Sequence, residues 1–230
     1  MIYLDTAATT PVGEEIIEAM AECLHSNYGN PSSLHGVGLQ AEKVLEASRR
    51  ELAAAAACPA NRAFFTSGAT EANNRALDAA WQLRSRRGKT LLVAADAHPS
   101  VLEKARSLTA QGAKIVMAPV GQNGALLPDV LESLLTPDVI LFSFVWVNNE
   151  SGVIQPAAPL ISMIKSKYPH CLIHADGVQG FCKIPDVKWR DGLDFFSASA
   201  HKIYGPKGVG FLAVESRIAP ARASRAASAS

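Results

Sequence analysis

Disulfide and zinc frameworks are the first things missing from this chain. Its four cysteines in 230 residues, Cys23, Cys58, Cys171 and Cys182, form no C-x-x-C pair and no zinc-like spacing. Free thiols in a reducing compartment are the expectation. Aromatic residues make up 7% of the chain and do not interleave with basic ones. That excludes a stacking platform for single-stranded nucleic acid. Neither sign of charge dominates, with 22 basic against 21 acidic residues and a net charge of +1. No nucleic-acid or membrane partner is therefore expected. No apolar run reaches membrane-spanning length. Residues 1–5 lack the basic region and apolar core of a signal or transit peptide, so a cytoplasmic protein is expected. There is no internal repeat at a fixed period.

What is present is a core. Hydrophobic residues account for 48% and charged residues for 19%, a balance suited to one large domain or one and a half. After a short extended start at residues 2–4, residues 14–24 read as a helix with Ile16, Ile17, Met20 and Leu24 on one face. A loop with Gly29, Asn30 and Pro31 follows, and Ser32 or Ser33 is placed to cap a helix over 34–57. From residue 63 the pattern turns regular. Strands at 63–66, 90–94, 114–117, 139–147 and 171–174 alternate with helices at 70–86, 99–110, 128–135 and 156–168. Two further apolar runs, 193–198 and 211–214, flank a Gly/Pro-rich turn. Such alternation predicts an α/β fold of three αβα layers around a mostly parallel sheet. Residues 217–230 are rich in alanine, serine and arginine with few large apolar residues, and read as a low-complexity tail.

In open α/β sheets, ligands bind beyond the carboxyl ends of the strands. Five predicted strand ends carry polar groups: Ser67-Gly68-Ala69-Thr70-Glu71, Asp96-Ala97-His98, Asn148-Asn149-Glu150, Asp176-Gly177-Val178-Gln179, and Ser199 with His201 and Lys202. Each has a plain alternative. The first suits a phosphate through free amides and the helix dipole, yet it reads equally as an ordinary capped helix start, in which Thr70-x-x-Asn73 only resembles a capping box. His98 is a surface histidine or one lying flat on an aromatic ring. Asp176 ends an apolar strand, where a carboxylate needs a partner. His174-x-Asp176 has no third ligand near it, so a metal is not expected. The Gly205–Gly210 loop lacks the ending and spacing of a nucleotide loop. Taken alone, Lys202 reads as a lysine that snorkels to the surface. In a tight loop between two buried runs it would instead lose solvent, drop in pKa and become the nucleophilic amine that a Schiff base needs.

One ligand uses all of these groups: pyridoxal phosphate. It requires a lysine for its aldehyde, a carboxylate beside the pyridine nitrogen, a cup for its phosphate and a flat group over the ring. Asp176 and Lys202 are separated by one strand and can reach one crevice.

The chain also resembles the cysteine desulfurases, including the selenocysteine lyases, of the class V aminotransferase group. The motifs that carry this are Tyr3-Leu-Asp-Thr-Ala-Ala-Thr-Thr-Pro11, Gly29-Asn-Pro-Ser-Ser33, Phe65-Thr-Ser-Gly-Ala-Thr-Glu71, Val147-Asn-Asn-Glu150, His174-Ala-Asp-Gly-Val-Gln179 and Ser199-Ala-His-Lys-Ile-Tyr-Gly-Pro-Lys-Gly208, in family order. The resemblance implies a fold-type I homodimer with one pyridoxal 5'-phosphate per subunit. It implies that Lys202 bonds to the cofactor, Asp176 holds its pyridine nitrogen, and His98 stacks on the ring as an acid/base. Gln179 and Asn149 reach the phenolic oxygen, with Asn149 also near substrate. Ala69, Thr70, Ser199 and His201 hold the phosphate. The implied reaction converts L-cysteine, or selenocysteine, to alanine and leaves sulfur as a persulfide on an enzyme cysteine. That sulfur is destined for an acceptor such as an iron–sulfur scaffold, or for tRNA thiolation. Another class V aminotransferase or lyase shares the Asp, His and Lys core, and a non-catalytic fragment is a third reading.

The resemblance implies residues 1–14 as an arm belonging to a small domain, 15–215 as the cofactor-binding large domain, and 216–230 as tail outside it. Some positions depart from the pattern. Gly177 and Val178 stand where Thr or Ala is usual, and Asp96-Ala97-His98 stands for a Glu-His pair. Similarity stops near Val214, and the tail reads as a frame change or artificial end. Most of the small domain is expected to be missing. With it would go the sulfur-accepting cysteine, the arginine for the substrate carboxylate and a threonine for the partner's phosphate. None of the four cysteines matches the catalytic position.

Overall fold

Five apolar runs are buried at every position, as strands covered on both faces must be: β2 (Thr90–Ala94), β4 (Val139–Val145), β5 (Leu172–Asp176), β6 (Phe195–Ser199) and β7 (Gly210–Val214). With β1 (Ala63–Thr66) and β3 (Lys114–Ala118) they form a seven-stranded sheet in the order β1-β7-β6-β5-β4-β2-β3. This is a computed structural model, and it describes residues 2–185, 192–215 and 218. Strands β3, β2, β4, β5 and β6 pair in parallel, while β7 is antiparallel to both β6 and β1. The expected elements are therefore present, with ends moved by at most two residues. Most of the tail lies outside the described residues; Ile218 is buried, and its carbonyl accepts from Arg62.

Period-two alternation sends neighbouring residues of each strand to opposite layers. On one face α3 (Ala69–Arg84) and α4 (Pro99–Leu108) pack Ala72, Ala76, Leu77, Val101 and Leu108 against Leu91, Val93, Leu141, Phe195 and Leu212. On the other, α5 (Pro128–Leu134) and α6 (Ala157–Lys167) pack Leu131, Leu160, Ile161 and Ile164 against Phe142, Phe144, Ile173 and Phe196. Phe181 meets Phe196 and Phe211 edge to face, its centroid 4.9 Å from that of Phe211, and Phe196 and Phe211 are tilted against each other. The three αβα layers follow.

One expected cap is corrected. The helix α2 (Gly36–Ala55) is capped by His35, whose Nδ1 accepts from the Gly38 amide at 3.3 Å, and not by Ser32 or Ser33. At the start of α3, Thr70 and Asn73 make no box. Glu71 reaches back instead, accepting from the amide and hydroxyl of Ser67 at 2.7 and 2.8 Å. Asn73 turns inward because its side chain has a buried partner there. The helix α1 (Glu14–Ser26) buries no residue, and its apolar face leaves Ile17, Met20 and Leu24 exposed.

A polar row runs under α3 through the sheet. His174 is fully buried, with Nδ1 2.8 Å from Ser143 Oγ on β4 and Nε2 3.0 Å from Ser197 Oγ on β6. Desolvation pushes this imidazole down to about 3, so the folded chain holds it neutral. The unfolded chain protonates it below about pH 6.5. Stability contributed by this site is therefore full above that value and falls as pH drops toward about 3, by about 1.4 kcal/mol per pH unit at most. We expect urea midpoints of the chain to fall between pH 6.5 and pH 4 less steeply in His174→Gln than in wild type; parallel slopes would contradict this.

Just past β5, Gly177 explains one departure from the family pattern. A Cβ there would lie 2.0 Å from the buried Phe196 ring. Gly177→Ala should cost about 1–3 kcal/mol by overpacking, read as a lowered melting temperature. Adding Phe196→Leu should recover part of the loss. An unchanged melting temperature in the single variant would remove Phe196 as the reason.

Candidate active site

Six of the seven strands point the same way, so their carboxyl ends share one edge of the sheet. The reversed strand β7 makes this edge useful. Its first residue, Gly210, pairs with Thr66 on one side and Ser199 on the other. A Cβ on Gly210 would sit 2.7 Å from both Gly68 Cα and Ala198 O. Only glycine lets β7 slip between them, and that approach sets the start of α3 beside Ser199. A cleft of about 620 Å³ opens here. The nine residues to which the resemblance gives a role all line it: Ala69, Thr70, His98, Asn149, Asp176, Gln179, Ser199, His201 and Lys202.

Asp176 ends β5 and is 4% exposed. Its Oδ2 accepts from Asn73 Nδ2 at 2.8 Å and its Oδ1 from the Val178 amide at 3.1 Å. Burial pushes this carboxyl up, against the two N–H donors and the attraction of His98 and Lys202. Among the described residues no cation lies within ion-pair distance of it. A buried carboxylate with two weak donors and open cleft beside it fits a ligand that brings a positive charge.

Lys202 follows β6 in a single 3₁₀ turn, Ala200–Lys202. Burial holds its ammonium below the usual lysine range, with Asp5 and Asp176 pulling the other way. Its Nζ donates to the carbonyls of Ala7 and Ala8 at 2.6 and 2.7 Å. The same carbonyl of Ala7 accepts from Gln179 Nε2 at 2.8 Å. Residues 5–10 thus lie across the cleft, anchored by the Thr10 amide on His201 O at 2.8 Å and by the Tyr204 amide on Thr10 Oγ1 at 2.7 Å.

The amino end of α3 closes another side. Its cap residue, Gly68, contributes no side chain, so the first amides of the helix have no partner within it. These amides and the positive end of a 16-residue helix dipole suit an anion. Ser199, His201 and Lys207 line the same region of the cleft. His201 is held below the usual histidine range by burial, then by the charges of Lys202 and Lys207. A hydroxyl, an imidazole and an ammonium beside a helix start suit an anion.

His98 caps α4, its Nδ1 accepting from the Ser100 amide at 3.1 Å. No aromatic ring stacks on it among the described residues, so its flat face is available to the cleft. Asn149 is exposed at the rim, while Asn148 braces the loop by donating to Asp96 Oδ2 at 3.1 Å. Asp96 and Glu150 do not line the cleft. Sequence reasoning missed Asn73, Ser100, Lys207 and the Ala8–Thr9 segment. Asn73 was legible in principle: it is a polar residue beside Ala72 and Ala76 on the buried stripe of α3. Among the cysteines, Cys182 is exposed in the turns that follow the buried Phe181. No metal-holding cluster is found among the described residues, and no described helix is long and apolar enough to cross a membrane.

A model of the class V aminotransferases matches residues 2–223, running past the Val214 at which the motif resemblance ends. The chain is similar to the cysteine desulfurase IscS of Dictyoglomus turgidum, 40% identical over 211 residues that cover 92% of this chain and 53% of that protein. Among solved structures, a NifS-like protein superposes with a TM-score of 0.91 at 35% identity, over 94% of this chain and 60% of that one. A structure described as SspA in complex with cysteine superposes with a TM-score of 0.86 at 30% identity, over 96% and 64%. The chain spans about half the length of the curated relatives it matches. With the αβα sheet, the motifs at five strand ends and these matches agreeing, the chain belongs to the class V aminotransferases, and the curated relatives it matches are cysteine desulfurases.

Proposed function

We propose that this cleft binds pyridoxal 5'-phosphate and that the whole protein uses it to desulfurate L-cysteine. The carrying observation is the buried Asp176 carboxylate, with no ion-pair partner among the described residues, in the same cleft as a desolvated lysine and a bare helix start. When bound, the cofactor supplies an aldehyde that condenses with amines and a ring that takes up electrons from the substrate α-carbon. Asp176 would keep the pyridine nitrogen protonated, which in turn offsets the cost of its own burial. The α3 amino end at Ala69 and Thr70, with Ser199 and His201, would hold the phosphate. Gln179 and Asn149 would reach the phenolic oxygen, and Asn149 the substrate. Lys202 would provide the bonding amine and then a base at the α-carbon, once its Nζ leaves the Ala7 and Ala8 carbonyls. His98 would cover the ring and move a proton at the substrate.

The overall change we propose transfers the substrate sulfur to a protein thiolate. The thiolate attacks that sulfur, the Cβ–S bond breaks, and alanine and a persulfide result. None of the four cysteines lines the cleft. Burial pushes Cys171 up to about 12 and Cys58 to about 11, where little thiolate exists at neutral pH. The acceptor thiol therefore belongs to the half of the family length that this chain does not span. An arm at 1–14 and a large domain at 15–215, a cytoplasmic homodimer covering the bare faces of α1 and α2, and an iron–sulfur scaffold or tRNA-thiolation acceptor belong to the same reading. Selenocysteine is the alternative substrate.

Borohydride reduction of the chain with pyridoxal phosphate should attach the cofactor at Lys202, and Lys202→Ala should abolish the adduct. Labelling at a different lysine in wild type, read by peptide mass, would contradict the assignment. Incubated with pyridoxal phosphate and L-cysteine, the 230-residue chain should yield neither stoichiometric alanine nor a sulfur added to any of its four cysteines. A persulfide trapped on one of them would show that this half supplies its own acceptor.

A further inference from the structure

Asn73 is a polar residue on a helix stripe that otherwise packs alanines and leucines against the sheet, and it is 1% exposed. Its amide nitrogen spends both protons: one on Asp176 Oδ2 at 2.8 Å, the other on Ser100 Oγ at 3.0 Å. Its own carbonyl oxygen is buried with no hydrogen-bond partner in the described chain. Turning the amide over would set that oxygen against the Asp176 carboxylate and leave the amide protons buried where the carbonyl now has no partner, so this orientation is the one the chemistry favours. Ser100 Oγ lies 2.8 Å from His98 Nδ1. That nitrogen already accepts from the Ser100 backbone amide. Nδ1 therefore carries a lone pair, the serine hydroxyl must donate to it, and the hydroxyl oxygen is left to accept from Asn73. In the neutral ring the proton then sits on Nε2.

We propose that Asn73 and Ser100 are positioning residues. They form one hydrogen-bond chain, Asp176 to Asn73 to Ser100 to His98, that fixes the rotamer of the carboxylate and, together with the Ser100 backbone amide, the tautomer of the histidine. An unpaired buried carbonyl costs stability, and a leucine at position 73 would avoid it, so the amide is there for the groups it orients. The two groups so joined are those assigned above to the pyridine nitrogen and the ring face. This inference rests on that reading only for its cofactor arm; the tautomer exists without any ligand.

The test is nitrogen NMR of the chain with ¹⁵N-labelled histidine at about pH 8, above the ordinary histidine pKa, without cofactor. The six histidines are sorted by adding His98→Gln. Wild type should show His98 as the Nε2–H tautomer. In Ser100→Ala, where the longer backbone amide bond at 3.1 Å is the donor left to it, the Nδ1 signal should move part of the way toward the mixed-tautomer value, with a smaller move in Asn73→Leu, where the hydroxyl loses the donor that orients it; Ser100→Thr, which keeps the hydroxyl, should hold the wild-type signal. Ser100→Ala lies in the first turn of α4, where alanine is tolerated, so it decides the matter if Asn73→Leu does not fold. An Nδ1–H tautomer in wild type, or an unmoved signal in Ser100→Ala, overturns the proposal. In the cofactor arm, Asn73→Leu should weaken pyridoxal phosphate binding about tenfold or more, the loss of one bond to a charged group. Unchanged binding overturns the role at Asp176. A wild-type chain that binds no pyridoxal phosphate would refute the cofactor reading, and the tautomer result would still decide this one.

Discussion

A carboxylate at the end of a central parallel strand is the constraint on which the site depends. Asp176 is carried into the interior by β5, whose other residues are apolar or, in His174, neutral. Burying a charge of this kind costs several kcal/mol unless something compensates. The chain compensates in part, with one backbone amide and one asparagine amide. Neither is a cation. The remaining cost makes the position a receptor for positive charge, and the elements around it are arranged to deliver a ligand to that point.

That arrangement depends on one reversed strand. Were β7 parallel like its neighbours, the loop 203–209 would leave the site edge and return from the far side of the sheet. Because β7 is antiparallel, the chain turns back at once after Lys202 and Gly210 wedges between Thr66 and Ser199. The amino end of α3, the Ser199–Lys202 turn and Lys207 are thereby packed into one wall of the cleft. The helix α3 then crosses the sheet with small residues against it, and the close approach brings Asn73 within hydrogen-bond distance of Asp176. Anion cup, carboxylate and histidine are thus joined by a single helix.

The other side of the cleft is made by residues far away in sequence. Carbonyls of Ala7 and Ala8 hold the Lys202 ammonium and the Gln179 amide. These bonds satisfy a partly desolvated cation, and a ligand that reacts with the amine must take their place. Next to this segment, α1 presents an apolar face with no buried residue, which agrees with a chain spanning about half the length of its curated relatives.

Much of this was legible before any coordinates. Near-continuous apolar runs such as 139–145 and the helical spacing of 99–108 determine the α/β class, because buried strands and half-buried helices impose different periods on the residues that face a core. The polar residues after each strand end determine the chemistry offered, since α/β sheets put such residues at one edge. Caps were less legible: Ser32, Ser33 and His35 all have acceptor atoms, and only the path of the chain selects His35. The direction of β7 was not legible at all, because an apolar run reads the same either way. Nor were the contacts that hang on it: Gly177 beneath Phe196, the arm carbonyls on Lys202, and Asn73 between Asp176 and Ser100. Each joins residues through space with no repeating spacing to announce them, and tertiary packing alone decided them.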